Sequence, residues 1–235
     1  LKLRNILELK SRQQEVDELK AQAAESVLRR YLPPDLVDML LSQDDLEGGA
    51  NLLNADPVSV PVTVLFSDLC GFTAMTATLR AVKVARILNE YLEVMNDVIF
   101  EHGGTIDKFI GDCVMVFFGD PKSSGVKQDA EAAVSMAIAM RKVMKVLRQQ
   151  WRSQGITKPL EIRMGLNTGY CTVGNFGADT RMDYTIIGRD VNLASRLESA
   201  ADAGRGAQKD LQATACFLLR LFQQRVRRRP CRIAR

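Results

Sequence analysis

Apolar positions recur along this chain with two different periods, and the change of period marks out its elements. Across about 79–102, Val84, Ile87, Leu88, Tyr91, Leu92, Met95 and Ile99 fall at helical spacing and predict one long helix. Ala132, Met136, Ile138, Met140, Val143 and Leu147 predict a second over 128–151. Shorter apolar runs rich in β-branched and aromatic residues, at 61–66, 105–110, 113–118, 160–167 and 170–175, predict strands. A last helix is expected from about Val191. Strand, helix, hairpin, helix, strands and helix in that order predict an α+β sandwich of sheet and helices.

The first 43 residues follow a different pattern. Glu, Lys, Gln, Ala and Leu dominate, and neither Gly nor Pro occurs before Pro33, so a helix is expected. Leu9, Val16 and Ala23, with Leu19 and Val27 nearby, form a short heptad stripe interrupted by Arg12 and Gln13. A two-stranded coiled coil and a solvated surface helix both fit it. Pro33 and Pro34 should stop the helix, and Asp35 suits the cap of a shorter one over 36–41. The organisation expected is therefore a helical connector over 1–43, a linker over 44–59, a catalytic domain over 60–203 and a tail over 204–235.

Composition narrows the class. At 235 residues, with 46% hydrophobic and 26% charged side chains, the chain is an ordinary folded protein and not a disordered one. No apolar run approaches the roughly 20 residues of a membrane span, and no signal-peptide pattern opens the chain, so a cytoplasmic setting is expected. The chain begins with Leu1 and not Met, which suggests a fragment whose upstream sensor or membrane domain is missing. Five scattered cysteines without CxxC spacing argue against a disulfide framework and against zinc.

Two aspartates carry the first chemical signal. Asp68 follows the run Val62–Phe66, and Asp112 follows Gly111 after Thr105–Ile110, so each carboxylate should emerge where a strand gives way to a turn. Hard oxygen ligands favour Mg2+ or Mn2+. Asp is also common in turns for local reasons, and Gly111-Asp112 is a plausible two-residue hairpin turn. The segment Cys70, Gly71, Phe72 and Thr73, just before a helix, offers free backbone amides to an anion. Metal ligands beside an anion cradle point to a metal-bound polyphosphate.

Four segments in order, Leu65–Thr73, Asp107–Asp112, Ile162–Gly169 and Tyr184–Arg196, resemble the catalytic domain of class III nucleotide cyclases, bacterial adenylate cyclase type. That resemblance implies a ferredoxin-like, palm-type antiparallel sheet flanked by helices, preceded by a coiled-coil connector. It implies attack of a ribose 3′-hydroxyl on the α-phosphate of a nucleoside triphosphate, with two Mg2+ or Mn2+ per site held by Asp68 and Asp112. It assigns Arg163 and the amides of Cys70, Gly71, Phe72 and Thr73 to the phosphates. Asn192 would orient the ribose and Arg196 would meet the charge of the transition state. Lys108 and Thr185 would read the base; Lys108 only donates and Thr185 donates or accepts, which suits adenine, so ATP is the expected substrate. The family's sites are shared across a head-to-tail homodimer, which implies the same here.

Beyond Gly204 the resemblance stops. Nine basic residues stand there against Asp210 alone, so the positive balance of the chain belongs to its tail. Such a tail could hold nucleic acid or anionic lipid; the preferred reading is a truncated chain with an altered reading frame, whose tail has no evolved role, and no specific nucleic acid partner is expected. The tail offers no counterpart of the family's second phosphate lysine. A rival reading follows: a cyclase-shaped dimerisation or signal-relay module of little activity. A diguanylate cyclase is a third, but its Gly-Gly-Asp/Glu-Glu-Phe signature is missing.

Overall fold

The computed structural model describes residues 2–31, 34–41, 56–156, 160–178 and 181–201. Most of the expected linker, the last two residues of the expected catalytic domain and all of the expected tail lie outside them. The chain divides into two compact units, Leu1–Ala55 and Asp56–Arg235.

In the first unit, α1 spans Lys2–Tyr31 and α2 spans Pro34–Leu41. Pro34 is the first helical residue of α2, ahead of the expected Asp35 cap, because the first turn needs no amide there and proline's fixed φ suits it. Val16, Leu19 and Val27 of the heptad stripe are exposed. Glu25 accepts from Arg29 one turn on, at 2.8 Å, and Arg29 also reaches Asp38 of α2 at 2.7 Å.

The second unit runs β1 (Val58–Cys70), α3 (Phe72–Thr76), α4 (Ala81–Glu101), β2 (Thr105–Ile110), β3 (Cys113–Phe118), α5 (Val126–Ser153), β4 (Glu161–Ala178), β5 (Arg181–Ile187) and α6 (Arg189–Ala200). The strands form one sheet in the order β2-β3-β1-β4-β5, with every pairing antiparallel. This is the expected ferredoxin-like sheet with β5 added at one edge.

Burial explains why β1 and β3 read as unbroken apolar runs. Leu65, Leu69, Val114, Val116 and Phe118 face the core beneath α4 and α5, together with Ile87, Tyr91, Met136 and Met140. Val62, Val64, Phe66, Met115 and Phe117 face the other way and pack with Cys171, Val173, Ile186 and Ala194 of α6. Central strands covered on both sides need apolar residues at every position, so the usual alternation disappears. Thr63 and Thr168, paired across β1 and β4, bond hydroxyl to hydroxyl at 2.9 Å.

Two expectations change. The stretch Thr168-Gly169, read as a break between strands, lies inside a single β4 and pairs with Thr63 and Val62. Its glycine serves close packing: a Cβ at Gly169 would lie 2.2 Å from the Asp190 side chain, and one at Gly165 would lie 2.1 Å from the Glu198 amide of α6. The segment 181–187, not expected as a strand, is β5, paired along β4 from Thr172↔Ile187 to Ala178↔Arg181. The sheet rolls up far enough that its edge strands β2 and β5 approach each other.

Candidate active site

Asp68 sits within β1, opposite Arg163 of β4, so the carboxylates lie at one end of the central strands and not at a sheet edge. Arg163 Nη2 donates to Asp68 Oδ2 at 2.7 Å. Its Nε forms a second ion pair, with Glu198 of α6, a carboxylate only 6% exposed; the pair lacks the alignment of a hydrogen bond. No local pattern singles out Glu198. It stands eight residues after Asp190 and four after Ala194, on the α6 face that meets Gly165 and Gly169.

Asp112 occupies the β2–β3 turn. Gly111 has φ 66° and no other residue type in the described chain has positive φ, the pattern of a type II′ hairpin with glycine first. The turn explanation for Asp112 and the ligand explanation are thus compatible. Burial, opposed by the Asp112 and Leu69 amides and reinforced by the neighbouring Asp68 carboxylate, pushes the Asp112 carboxyl above its ordinary range. Two like charges are therefore held together, and each would be relieved by a shared cation. Among the described residues no group of three or more His, Cys, Asp or Glu converges. A pair of carboxylates with the remaining positions left for phosphate and water suits Mg2+ or Mn2+. Burial first, then Asp68, pushes the adjacent Cys113 thiol up to about 12, so it is no thiolate ligand at neutral pH.

Beside this pair, Gly71 (φ 87°) turns the chain into α3, and no side chain caps that helix. Thr73 is exposed and Phe72 is buried at the core's rim. Beneath it, the hydroxyls of Ser67 and Tyr91 are buried without an aligned partner.

Lys108 and Thr185, 77 positions apart, meet at a second corner. The rolled sheet brings β5 to β2, and both side chains converge on Asp107. Lys108 Nζ lies 3.3 Å from Asp107 Oδ2, whose side chain is fully covered. A register shift between Ile106 and Lys108 makes Asp107 a bulge residue, which is why adjacent strand positions reach the same place. Asp107 opens the segment Asp107–Asp112, yet no local pattern marks it out, because the bulge is a property of the β2–β3 pairing.

Asn192 and Arg196 share one exposed face of α6, opposite the face that packs on β4. Among the described residues Arg196 has no ion-pair partner. Asn167 of β4 holds the start of this helix, donating from Nδ2 to the Asp190 carbonyl at 3.0 Å and to its carboxylate at 3.1 Å. One chain therefore brings Asp68, Asp112 and Arg163 to one place and Lys108 and Thr185 to another, and leaves Asn192 and Arg196 exposed.

Comparisons with known proteins agree with this geometry. Residues 56–216 match the model of the adenylate and guanylate cyclase catalytic domain. The crystal structure of the adenylyl cyclase CyaB from P. aeruginosa is 69% identical, with a TM-score of 0.63 over 63% of this chain and 76% of that one. The guanylyl cyclase Cya2 is 41% identical, with a TM-score of 0.60 over 63% and 74%. An adenylate cyclase of Anabaena cylindrica is 29% identical over 207 residues, 84% of this chain and 39% of the relative. The chain spans well under half the length of the curated relatives it matches. No helix among the described residues is long and apolar enough to cross a membrane. The chain belongs to the adenylate and guanylate cyclase catalytic domain family.

Proposed function

We propose that the chain is the cyclase domain of an adenylate cyclase, which converts ATP to 3′,5′-cyclic AMP and pyrophosphate at sites shared by two copies. The observation that carries this reading is the convergence of Asp68 and Asp112 beside Arg163. In the reaction the ribose 3′-oxygen bonds to the α-phosphorus, its proton is lost, and the bond to the β-phosphate oxygen breaks. Bound Mg2+ or Mn2+ would neutralise the triphosphate and acidify the ribose hydroxyl. Asp68 and Asp112 would hold those ions. Arg163 would exchange Asp68 for the triphosphate, a planar fork suited to paired phosphate oxygens. The backbone of Cys70, Gly71, Phe72 and Thr73 would receive the terminal phosphates.

Lys108 and Thr185 would read the adenine edge, the ammonium donating to the ring nitrogen and the hydroxyl accepting from the exocyclic amine. Asn192 would orient the ribose and Arg196 would meet charge growing on the α-phosphoryl oxygens, a contribution of several kcal/mol in a dry site. Their exposure on α6 supports a head-to-tail homodimer, in which each chain's α6 completes the other's metal corner. The relay-module reading draws support from Arg163, which occupies Asp68 with the chain's own charge.

One assay decides between them. The chain is incubated with ATP or GTP and Mn2+, and cyclic nucleotide is measured, with Asp68→Ala and Asp112→Ala as controls. Cyclic AMP that disappears in both variants supports the reading, and cyclic AMP that survives either refutes the metal assignment. No product from the parent chain favours the relay module. Light scattering tests the assembly: a monomer at every concentration that supports turnover rules out shared sites.

A further inference from the structure

Asp107 is a costly residue to bury where it lies. Its side chain is 0% exposed, and neither carboxylate oxygen has an aligned hydrogen-bond partner. A buried carboxylate in that condition costs stability that an apolar side chain would not. The strand is bulged at this residue, and bulges re-aim side chains next to sites. What the bulge aims Asp107 at is the pair that reads the base: the Lys108 ammonium at 3.3 Å, and, across the approach of β2 and β5, the Thr185 hydroxyl and the Ile186 amide.

We propose that Asp107 is a positioning residue that sets the choice of adenine over guanine, by fixing the Thr185 hydroxyl as an acceptor and the Lys108 ammonium in place. This inference rests on the adenylate cyclase reading. The chemistry follows from what each group can do. An ionised carboxylate only accepts, so a Thr185 hydroxyl turned toward it spends its single proton there and presents lone pairs to the base. Adenine matches that arrangement, with an amine for Thr185 and a ring nitrogen for Lys108. Guanine meets it with a carbonyl against the hydroxyl's lone pairs and an N–H against the ammonium, two mismatches at once. Without the carboxylate the hydroxyl rotates freely and can donate to the guanine carbonyl.

The test compares kcat and KM for ATP and for GTP in the parent chain and in Asp107→Asn, which keeps the shape and removes the charge. Under the proposal the ATP:GTP ratio of kcat/KM falls about tenfold or more, through a higher KM for ATP and improved use of GTP. A structural role alone would lower kcat for both nucleotides in parallel and leave the ratio unchanged, and that result overturns the proposal. Thr185→Val, which deletes the hydroxyl and leaves Asp107 in place, should lose the same discrimination; an unchanged ratio there overturns the proposal even where Asp107→Asn does not fold. Lys108→Ala separates the two levels of inference. A ratio that collapses in Lys108→Ala but holds in Asp107→Asn defeats only the role of Asp107, whereas a ratio that holds in both defeats the base-reading assignment beneath it.

Discussion

Asp68 and Asp107 are both strand carboxylates in corners of one sheet, and their surroundings differ in kind. Asp68 is partly exposed and is met by an arginine at 2.7 Å, which is itself tied to a second carboxylate. Asp107 is covered completely and has a lysine at 3.3 Å without aligned hydrogen bonds. Under the proposed function the charge of the first corner would be exchangeable: a cation at Asp68 and a triphosphate at Arg163 would replace one ion pair with two. The second corner has no such exchange to make, since its carboxylate is beyond the reach of solvent. The carboxylate met by an arginine is thus the partly exposed one, and the carboxylate beside the proposed base readers is the covered one.

Four changes test that contrast, beginning with the largest effect. Asp112→Ala removes one of the two converging carboxylates, and cyclic nucleotide formation with Mn2+ should fall by roughly 10³ or more. Retention of even a tenth of parental turnover would remove Asp112 from the metal corner. Arg163→Ala should lower kcat/KM for ATP by about 10²-fold while tightening Mn2+ binding to the nucleotide-free chain, because the guanidinium no longer competes for Asp68. Mn2+ titration followed by electron paramagnetic resonance reads the second effect; weaker Mn2+ binding would show that Arg163 supports the metal corner instead of competing for it.

Glu198→Gln leaves Arg163 short of a buried partner and should cost about 1–3 kcal/mol in urea unfolding. A variant as stable as the parent would mean that the Arg163–Glu198 pair contributes nothing to the fold. The smallest effect belongs to Asp107 and pH. Burial raises its folded-state pKa above the unfolded value, so the folded chain keeps that proton to higher pH. The associated stability is complete below the ordinary carboxylate range and is lost as pH rises through the raised value. Unfolding free energy in Asp107→Asn should therefore fall less steeply over that window than in the parent. Identical slopes would show that Asp107 ionises like a solvated carboxylate.

The sequence carried the metal corner further than the base corner, for physical reasons. Asp68 and Asp112 are each announced by a local pattern, an apolar run followed by a glycine turn; both turns form, but β1 runs on to Cys70, so Asp68 lies inside the strand and not at its end. Lys108 and Thr185 carry no local sign of belonging together; only the resemblance linked them, and the roll of the sheet joins them in space. Asp107 and Glu198 went unread because what distinguishes them is nonlocal, a register shift between β2 and β3 in one case and the close seating of α6 on β4 in the other. The same seating misled the strand assignment, since Gly169 resembles a turn residue until the helix above it is known.

Gly165 and Gly169 leave a bare track on β4, and the Asp190, Ala194 and Glu198 side of α6 lies in it with no room for a methyl group. In mechanical terms the strand and the helix are a single part. Arg163 at one end of that part and the outward pair Asn192 and Arg196 on its back cannot be repositioned separately. Under the proposed shared site, a shift of α6 toward or away from a second copy would also move Arg163 beside Asp68, so the two faces of this element would be geared to one another.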